Sequence, residues 1–220
     1  MFDEISLNTY HLLFATFAPL KIKSLNMEHI KTAETKNPIL DLIAKRWSPR
    51  SFSSQDISDE TLNTILEAAS WSFSANNEQP WRYIVAKRGT ETFNKISELL
   101  MPGNKTWAPN AAVLIMSIIK TTFNKDNSVN KAAMHDVGAA NAHLALEARA
   151  HNVFTHFIGG FDKNKSKEVF NLPEGFEPIA CIALGYLGSP EQLGEPLKDR
   201  ELVSRSRKPI SELVLNFSEL

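Results

Sequence analysis

Cysteine is almost missing from the chain: Cys181 stands alone among 220 residues, so no internal disulfide can staple the fold. Its setting, Ile179-Ala180-Cys181-Ile182-Ala183, suits a small buried side chain better than a reactive thiolate, and a reducing, cytoplasmic compartment fits. Excess charge of one sign is missing too. Twenty-four Lys and Arg against 25 Asp and Glu leave a net charge of −1, which gives no broad positive field for nonspecific nucleic-acid binding. No apolar run reaches the roughly 18 residues of a membrane-spanning helix; the longest is Ala111 to Ile119. Nucleic acid and membrane are therefore set aside as partners. GxGxxG, GxxxxGK, GxSxG and CxxC are all absent, so the standard dinucleotide and phosphate-loop folds, activated-serine hydrolysis and dithiol redox chemistry have no signal.

What is present describes one elaborated domain. With 43% hydrophobic residues, a chain of this size can bury roughly 70% of its unfolded surface. We divide it into an N-terminal extension, residues 1–36, and a domain, residues 37–220. The extension carries an apolar patch at Leu12 to Leu20. It opens with Asp3 and Glu4, the wrong charge for a secretory signal, and the basic stretch from Met27 offers an alternative start.

Ser58 caps a first helix, with Ile57 and Leu62 placed as a hydrophobic staple and Leu62, Ile65, Leu66 and Ala69 as its inner stripe. Thr90 opens a second helix, with Phe93, Ile96, Leu99 and Leu100 inward, stopped by Pro102-Gly103. A loop follows. Ala132 to His151 forms a long helix rich in Ala, with Gly138, expected at the centre or at a subunit interface. Strands are expected at Tyr83 to Ala86, Val113 to Ile119, Val153 to Ile158 and Ile179 to Leu184, so the class is mixed α and β.

Four polar constellations could carry chemistry. Arg46-Trp47-Ser48-Pro49-Arg50 follows a short apolar helix, and Pro49 keeps Ser48 extended. Its arginines and hydroxyl either converge on one anion such as a phosphate or are solvated around a turn. Arg205-Ser206-Arg207-Lys208 is a second basic cluster, a solvated face or the other half of a shared anion site. The amides and hydroxyls of Ser72 to Trp81 can read the edge of a heterocycle or form Asx turns. Gly159-Gly160 makes a tight turn or admits a planar group against the backbone. His143, Glu147 and His151 share a helical face, but the two histidines lie about 12 Å apart along it. One ion could take only two of the three, so we read a helix stripe and assign no metal.

Taken together, Arg46 to Phe52, Ile65 to Ala69 and Ser74 to Arg82 resemble the opening of the nitroreductase family. The resemblance continues through Trp107 to Ala111, Asp136-Val137-Gly138, Gly159 to Asp162, Leu172 to Gly175 and Arg205 to Pro209, covering about Asn37 to Val214. It implies an α+β homodimer with a central antiparallel sheet flanked by helices and an exchanged C-terminal segment. It also implies FMN between the subunits and NADH or NADPH as reductant. By position it places Arg46, Arg205 and Arg207 at the phosphate, Trp47 and Ser48 beside them toward the ribityl chain, and Arg50 near the flavin pyrimidine. Ser74, Ala75 and Asn77 fall on the loop packed against the ring from the neighbouring subunit. Gly159 offers its amide to N5, with Gly160 beside it, and Asn104 and Lys105 fall on the loop before Ala108. No side-chain nucleophile is implied. The chain departs from the common pattern at Phe73, often Pro, and at Gly159, where some relatives carry Glu. The implied reaction reduces an electron-poor small molecule such as a nitroaromatic or quinone. The alternatives are reductive dehalogenation, enone reduction, and flavin storage with Phe73 and Trp107 covering the ring.

Overall fold

The structure is a computed structural model and describes residues 29–219. The apolar patch and the alternative start at Met27 lie outside the described residues. Four strands, β1 (Trp81–Lys87), β2 (Val113–Lys120), β3 (Phe154–Ile158) and β4 (Phe176–Gly185), form one antiparallel sheet in the order β1-β2-β4-β3.

Side chains alternate across β2. Leu114, Met116 and Ile118 enter one core, while Val113, Ile115 and Ile119 enter the other, as a period of two requires. The second core is closed by α2 (Asp59–Ser70) and α5 (Ala133–Ala150). Helix α5 turns Ala133, Val137, Ala140, Leu144 and Ala148 inward, small residues at helical spacing that let α2 bring up Leu62, Ile65 and Ala69. The long Ala-rich helix is thus central. The first core is closed by α3 (Glu91–Leu99), α6 (Lys163–Val169) and the segment from Trp47 to Phe52.

Local signals hold where the physics is local. Ser58 Oγ accepts from Thr61 N at 3.1 Å, Thr90 Oγ1 accepts from Phe93 N at 3.2 Å, and Phe93, Ile96, Leu99 and Leu100 are all buried. Three strands run longer than their apolar cores, while β3 starts one residue later than expected, at Phe154. Trp81 and Arg82 stay in register with Ile119 and Ile118, and β4 begins at Phe176 because a register shift at Ser117/Ile118 accommodates the ladder beside Pro178. The expected loop after Pro102 instead holds α4 (Pro102–Lys105), since a proline that ends one helix is favourable at the first position of the next. Near the ends lie α1 (Asp41–Lys45), α7 (Leu197–Leu202) and α8 (Ile210–Leu213). Among the described residues no helix is long and apolar enough to cross a membrane.

Candidate functional site

The segment after α1 runs extended, so its side chains alternate. Trp47, Pro49 and Ser51 are buried, while Arg46, Ser48 and Arg50 are half-exposed along one edge. Three contacts fix the buried side. Trp47 packs edge-on against Phe154 at 5.9 Å, the carbonyl of Pro49 accepts from His156 Nδ1 at 2.8 Å, and Ser51 Oγ donates to Ser189 O. His156 lies on β3 between Phe154 and Ile158, with its ring 4.4 Å from that of Trp107. Burial, with Arg50 nearby, pushes its pKa down to about 4, so the ring is neutral and donates from Nδ1.

The C-terminal segment folds back onto this edge. Lys31 Nζ donates to Arg200 O at 2.7 Å and to Val203 O while lying over the Trp47 ring. Arg205 returns the contact: its Nη1 donates to Arg46 O at 2.7 Å and its Nη2 to Ala44 O. Each cation satisfies carbonyls at the end of the other segment's helix, where unpaired C=O groups and the dipole favour positive charge. Through Arg207, therefore, the C-terminal segment lies against its own chain.

Together these residues line a cleft of about 200 Å³. Six cations, Lys31, Arg46, Arg50, Arg200, Arg205 and Arg207, face one carboxylate, Glu201, which is 0% exposed. Burial and then the charge of Arg207 hold Arg46 below the ordinary arginine range, and burial followed by Arg46 and Arg207 does the same to Arg205. Three buried polar atoms around the cleft have no hydrogen-bond partner among the described residues: Trp47 Nε1, Arg205 Nε and Glu201 Oε2. Uncompensated cations and orphaned donors at one point are the chemistry that receives a polyanion.

Gly159 and Gly160 follow β3. Met101 N and Asn104 Nδ2 donate to Gly160 O at 2.9 and 3.1 Å, joining two residues the sequence had placed near the flavin. A Cβ on Gly160 would stand 2.8 Å from Asn104 Nδ2, whereas a Cβ on Gly159 would meet nothing within 4 Å. Lys105 is exposed on α4. Ser74, Ala75 and Asn77 lie apart from the cleft, at the N-terminus of α5. Ala75 N donates to Asp136 Oδ2 at 3.0 Å, Ser74 Oγ accepts from Gln79 N, and Asn77 takes a positive φ of 53°. Phe73 beside them is 62% exposed and 5.7 Å from the His135 ring. Trp107, 1% exposed between Phe52 and His156, belongs to the core and covers no open face.

Of the expected residues, then, Arg46, Trp47, Ser48, Arg50, Arg205 and Arg207 share one cleft. Asn104 meets Gly160, and the Ser74 loop is separate. Lys31, Arg200, Glu201 and His156 were not anticipated. Only His156 left a trace, as a polar residue in an apolar alternation. On α5, Glu147 pairs with His151 at 3.1 Å.

Proteins of known structure share this fold. A crystal structure of an oxidoreductase containing FMN superposes with a TM-score of 0.78 at 35% identity, over 82% of this chain and 92% of that one. A protein from Desulfovibrio desulfuricans, provisionally called a nitroreductase and crystallised in complex with FMN, gives 0.65 at 26% identity, over 82% and 97%. A protein from Archaeoglobus fulgidus, provisionally named NADH dehydrogenase/NAD(P)H nitroreductase, is 31% identical over 151 residues, 67% of this chain and 84% of that one. The nitroreductase family model matches residues 43–106 and 99–186, and the chain belongs to the nitroreductase family.

Proposed function

We propose that the protein is an FMN-dependent oxidoreductase, oxidising NADH or NADPH and reducing an electron-poor acceptor such as a nitroaromatic or quinone. The observation that carries this is the convergence of Arg46, Arg205 and Arg207 with Ser48 and Arg50 around orphaned donors. When bound, FMN supplies two-electron chemistry at N5. The chain's residues hold and tune it. Arg46, Arg207 and the Nε of Arg205 take the phosphate, and guanidinium groups suit a phosphate better than ammonium groups do. Ser48 takes the ribityl side, and Arg50 lends positive charge where the pyrimidine gathers negative charge. Gly159 would offer its backbone N–H to the ring, and the open space at its Cβ position leaves room for a planar group beside it.

The working form in this reading is a homodimer in the cytoplasm. A cleft of about 200 Å³ falls below the roughly 300–1,000 Å³ of most small-molecule sites, so the remaining wall comes from a second copy. The Ser74–Asn77 loop and the exposed Leu40, Ile43, Ile210 and Leu213 are the surfaces for it, and the segment after Pro209 is the part that crosses.

The test is the absorption spectrum of the purified protein reconstituted with FMN, followed by anaerobic addition of each nicotinamide. Rapid bleaching of a bound flavin and reoxidation by a nitroaromatic or quinone supports the proposal. Reoxidation by halogenated aromatics or enones alone moves the assignment to those reactions. A bound flavin that stays oxidised under excess NADH and NADPH moves it to storage.

A further inference from the structure

The cleft contains one acid among its cations, and its position is not that of a surface ion pair. Glu201 sits in the last turn of α7, fully buried, where an unpaired carboxylate is costly. Its Oε1 accepts from the backbone N–H of Arg50 at 3.1 Å and stands 3.9 Å from Arg50 Nη1. Its Oε2 is buried with no partner. The charged groups around it are Arg50 from the extended segment, Lys31 from the helical residues 29–31 before α1, and Arg200 on its own helix, with Arg205 from the C-terminal segment against Lys31. From β3, neutral His156 reaches the same segment through Pro49 O.

Two consequences follow from that placement. Glu201 fixes the backbone and guanidinium of Arg50 from behind, while the Trp107 ring flanks the same guanidinium at 5.9 Å. Among the described residues lining the cleft, it is also the one negative charge that an incoming anion must share these cations with. A phosphate drawn into the cleft repels the carboxylate and draws the cations to itself. Oε2 makes no hydrogen bond of its own, and the nearby backbone N–H of Ser51 is a weak compensation, so the lowest-cost response is to bind a proton.

We infer that Glu201 is a positioning residue for Arg50 that takes up a proton from solvent when a phosphate enters the cleft. Nothing is oxidised and no covalent bond to the ligand forms; a solvent proton ends on the Glu201 carboxyl group. Burial already raises the affinity of this carboxyl for a proton, and the backbone N–H of Arg50, the charges of Arg50 and Lys31, and the backbone N–H of Ser51 oppose that in the absence of the anion. Because the bound state holds the extra proton, affinity for a phosphate-bearing ligand falls as pH rises, by up to tenfold per unit where the uptake is complete. Riboflavin, which lacks the phosphate, shows no such slope.

The inference rests on the proposed FMN site, and the test separates the two. Apoprotein is titrated with FMN and with riboflavin between pH 7 and 9, where free FMN phosphate is mostly dianionic, in two buffers of different ionisation enthalpy. Wild type is expected to show net proton uptake with FMN, absent with riboflavin. In Glu201→Gln, which keeps the size and an acceptor for Arg50 N–H, the uptake and the falling slope disappear while FMN still binds. FMN binding with no proton uptake in wild type, or the same pH slope in Glu201→Gln, overturns the role of Glu201 and leaves the site standing. Failure of wild type to bind FMN at all overturns the site, and the inference with it. The calorimetric measurement on wild type needs no variant, so poor folding of Glu201→Gln does not remove the test.

Discussion

Arg205 donates through one guanidinium nitrogen to the carbonyl of Arg46 at 2.7 Å and through another to the carbonyl of Ala44, across 159 and 161 positions of sequence. Two of the arginines read as phosphate ligands are therefore not equivalent. Arg205 is a clasp with one N–H of each Nη committed to a main-chain oxygen, while its Nε–H is buried without a partner among the described residues. Arg46 is held by its backbone, and its side chain faces the like charge of Arg207.

Substitution should separate these roles. Arg46→Ala and Arg207→Ala remove charge-assisted donors worth about 1.5–3 kcal/mol each, so FMN affinity should fall by roughly 10- to 150-fold with riboflavin affinity unchanged. Thermal stability of the apoprotein should hold or rise, because repulsion is relieved. Arg205→Ala should lower both FMN affinity and apoprotein stability, the latter by about 2 kcal/mol. Fluorescence titration and thermal melts on the three variants check this; equal stability losses in all three would refute the division.

How much of this was legible in the sequence follows from how local each cause is. Ser58 and Thr90 cap helices through bonds to residues three positions on, and both helices could be read directly. The ends of β1 and β4 depend on partners in β2, so an apolar run marks their middles only. Arg46, Ser48 and Arg207 were visible through their motif. Lys31 and Glu201 were not, because each acquires its role from a segment at the opposite end of the chain, and neither lies in a pattern that a lone lysine or glutamate would break.

Gly159 after β3 and Gly188 after β4 give a second contrast. Gly159→Ala places a methyl group in open space at an ordinary φ, so apoprotein stability should change by less than about 0.5 kcal/mol, while flavin affinity drops because the methyl occupies the proposed ring position. Gly188→Ala instead drives a Cβ to 2.7 Å from the Phe52 main chain, which cannot rotate away, and should cost about 1–3 kcal/mol in folding. Denaturant midpoints and flavin titrations distinguish them.

Asp136 tethers the Ser74–Asn77 loop. Its Oδ2 accepts from Ala75 N at 3.0 Å, and its charge lies in the first turn of α5, where the helix dipole favours it. Asp136→Ala should leave the Ala75 amide unpaired, cost about 1.5–3 kcal/mol, and speed amide exchange at Ala75. Asp136→Asn keeps an acceptor and should cost less than half as much. Residue-resolved hydrogen exchange on both variants provides the check.

His156 makes stability depend on acid. Its folded-state pKa is held down near 4, against about 6.5 for a free imidazole, so between those values the unfolded chain binds the extra proton. Stability from this residue is therefore fully present above about pH 6.5 and is lost as pH falls toward 4, by up to about 3 kcal/mol. Protonation would also set a second cation beside Arg50 while leaving the Nδ1–H bond to Pro49 O intact, so the loss comes from desolvation and repulsion rather than from a broken bond. His156→Gln keeps a donor for Pro49 O and does not titrate. Urea midpoints measured from pH 7 to pH 4.5 should fall more steeply for wild type than for His156→Gln, and parallel curves would show that the imidazole is not the group responsible.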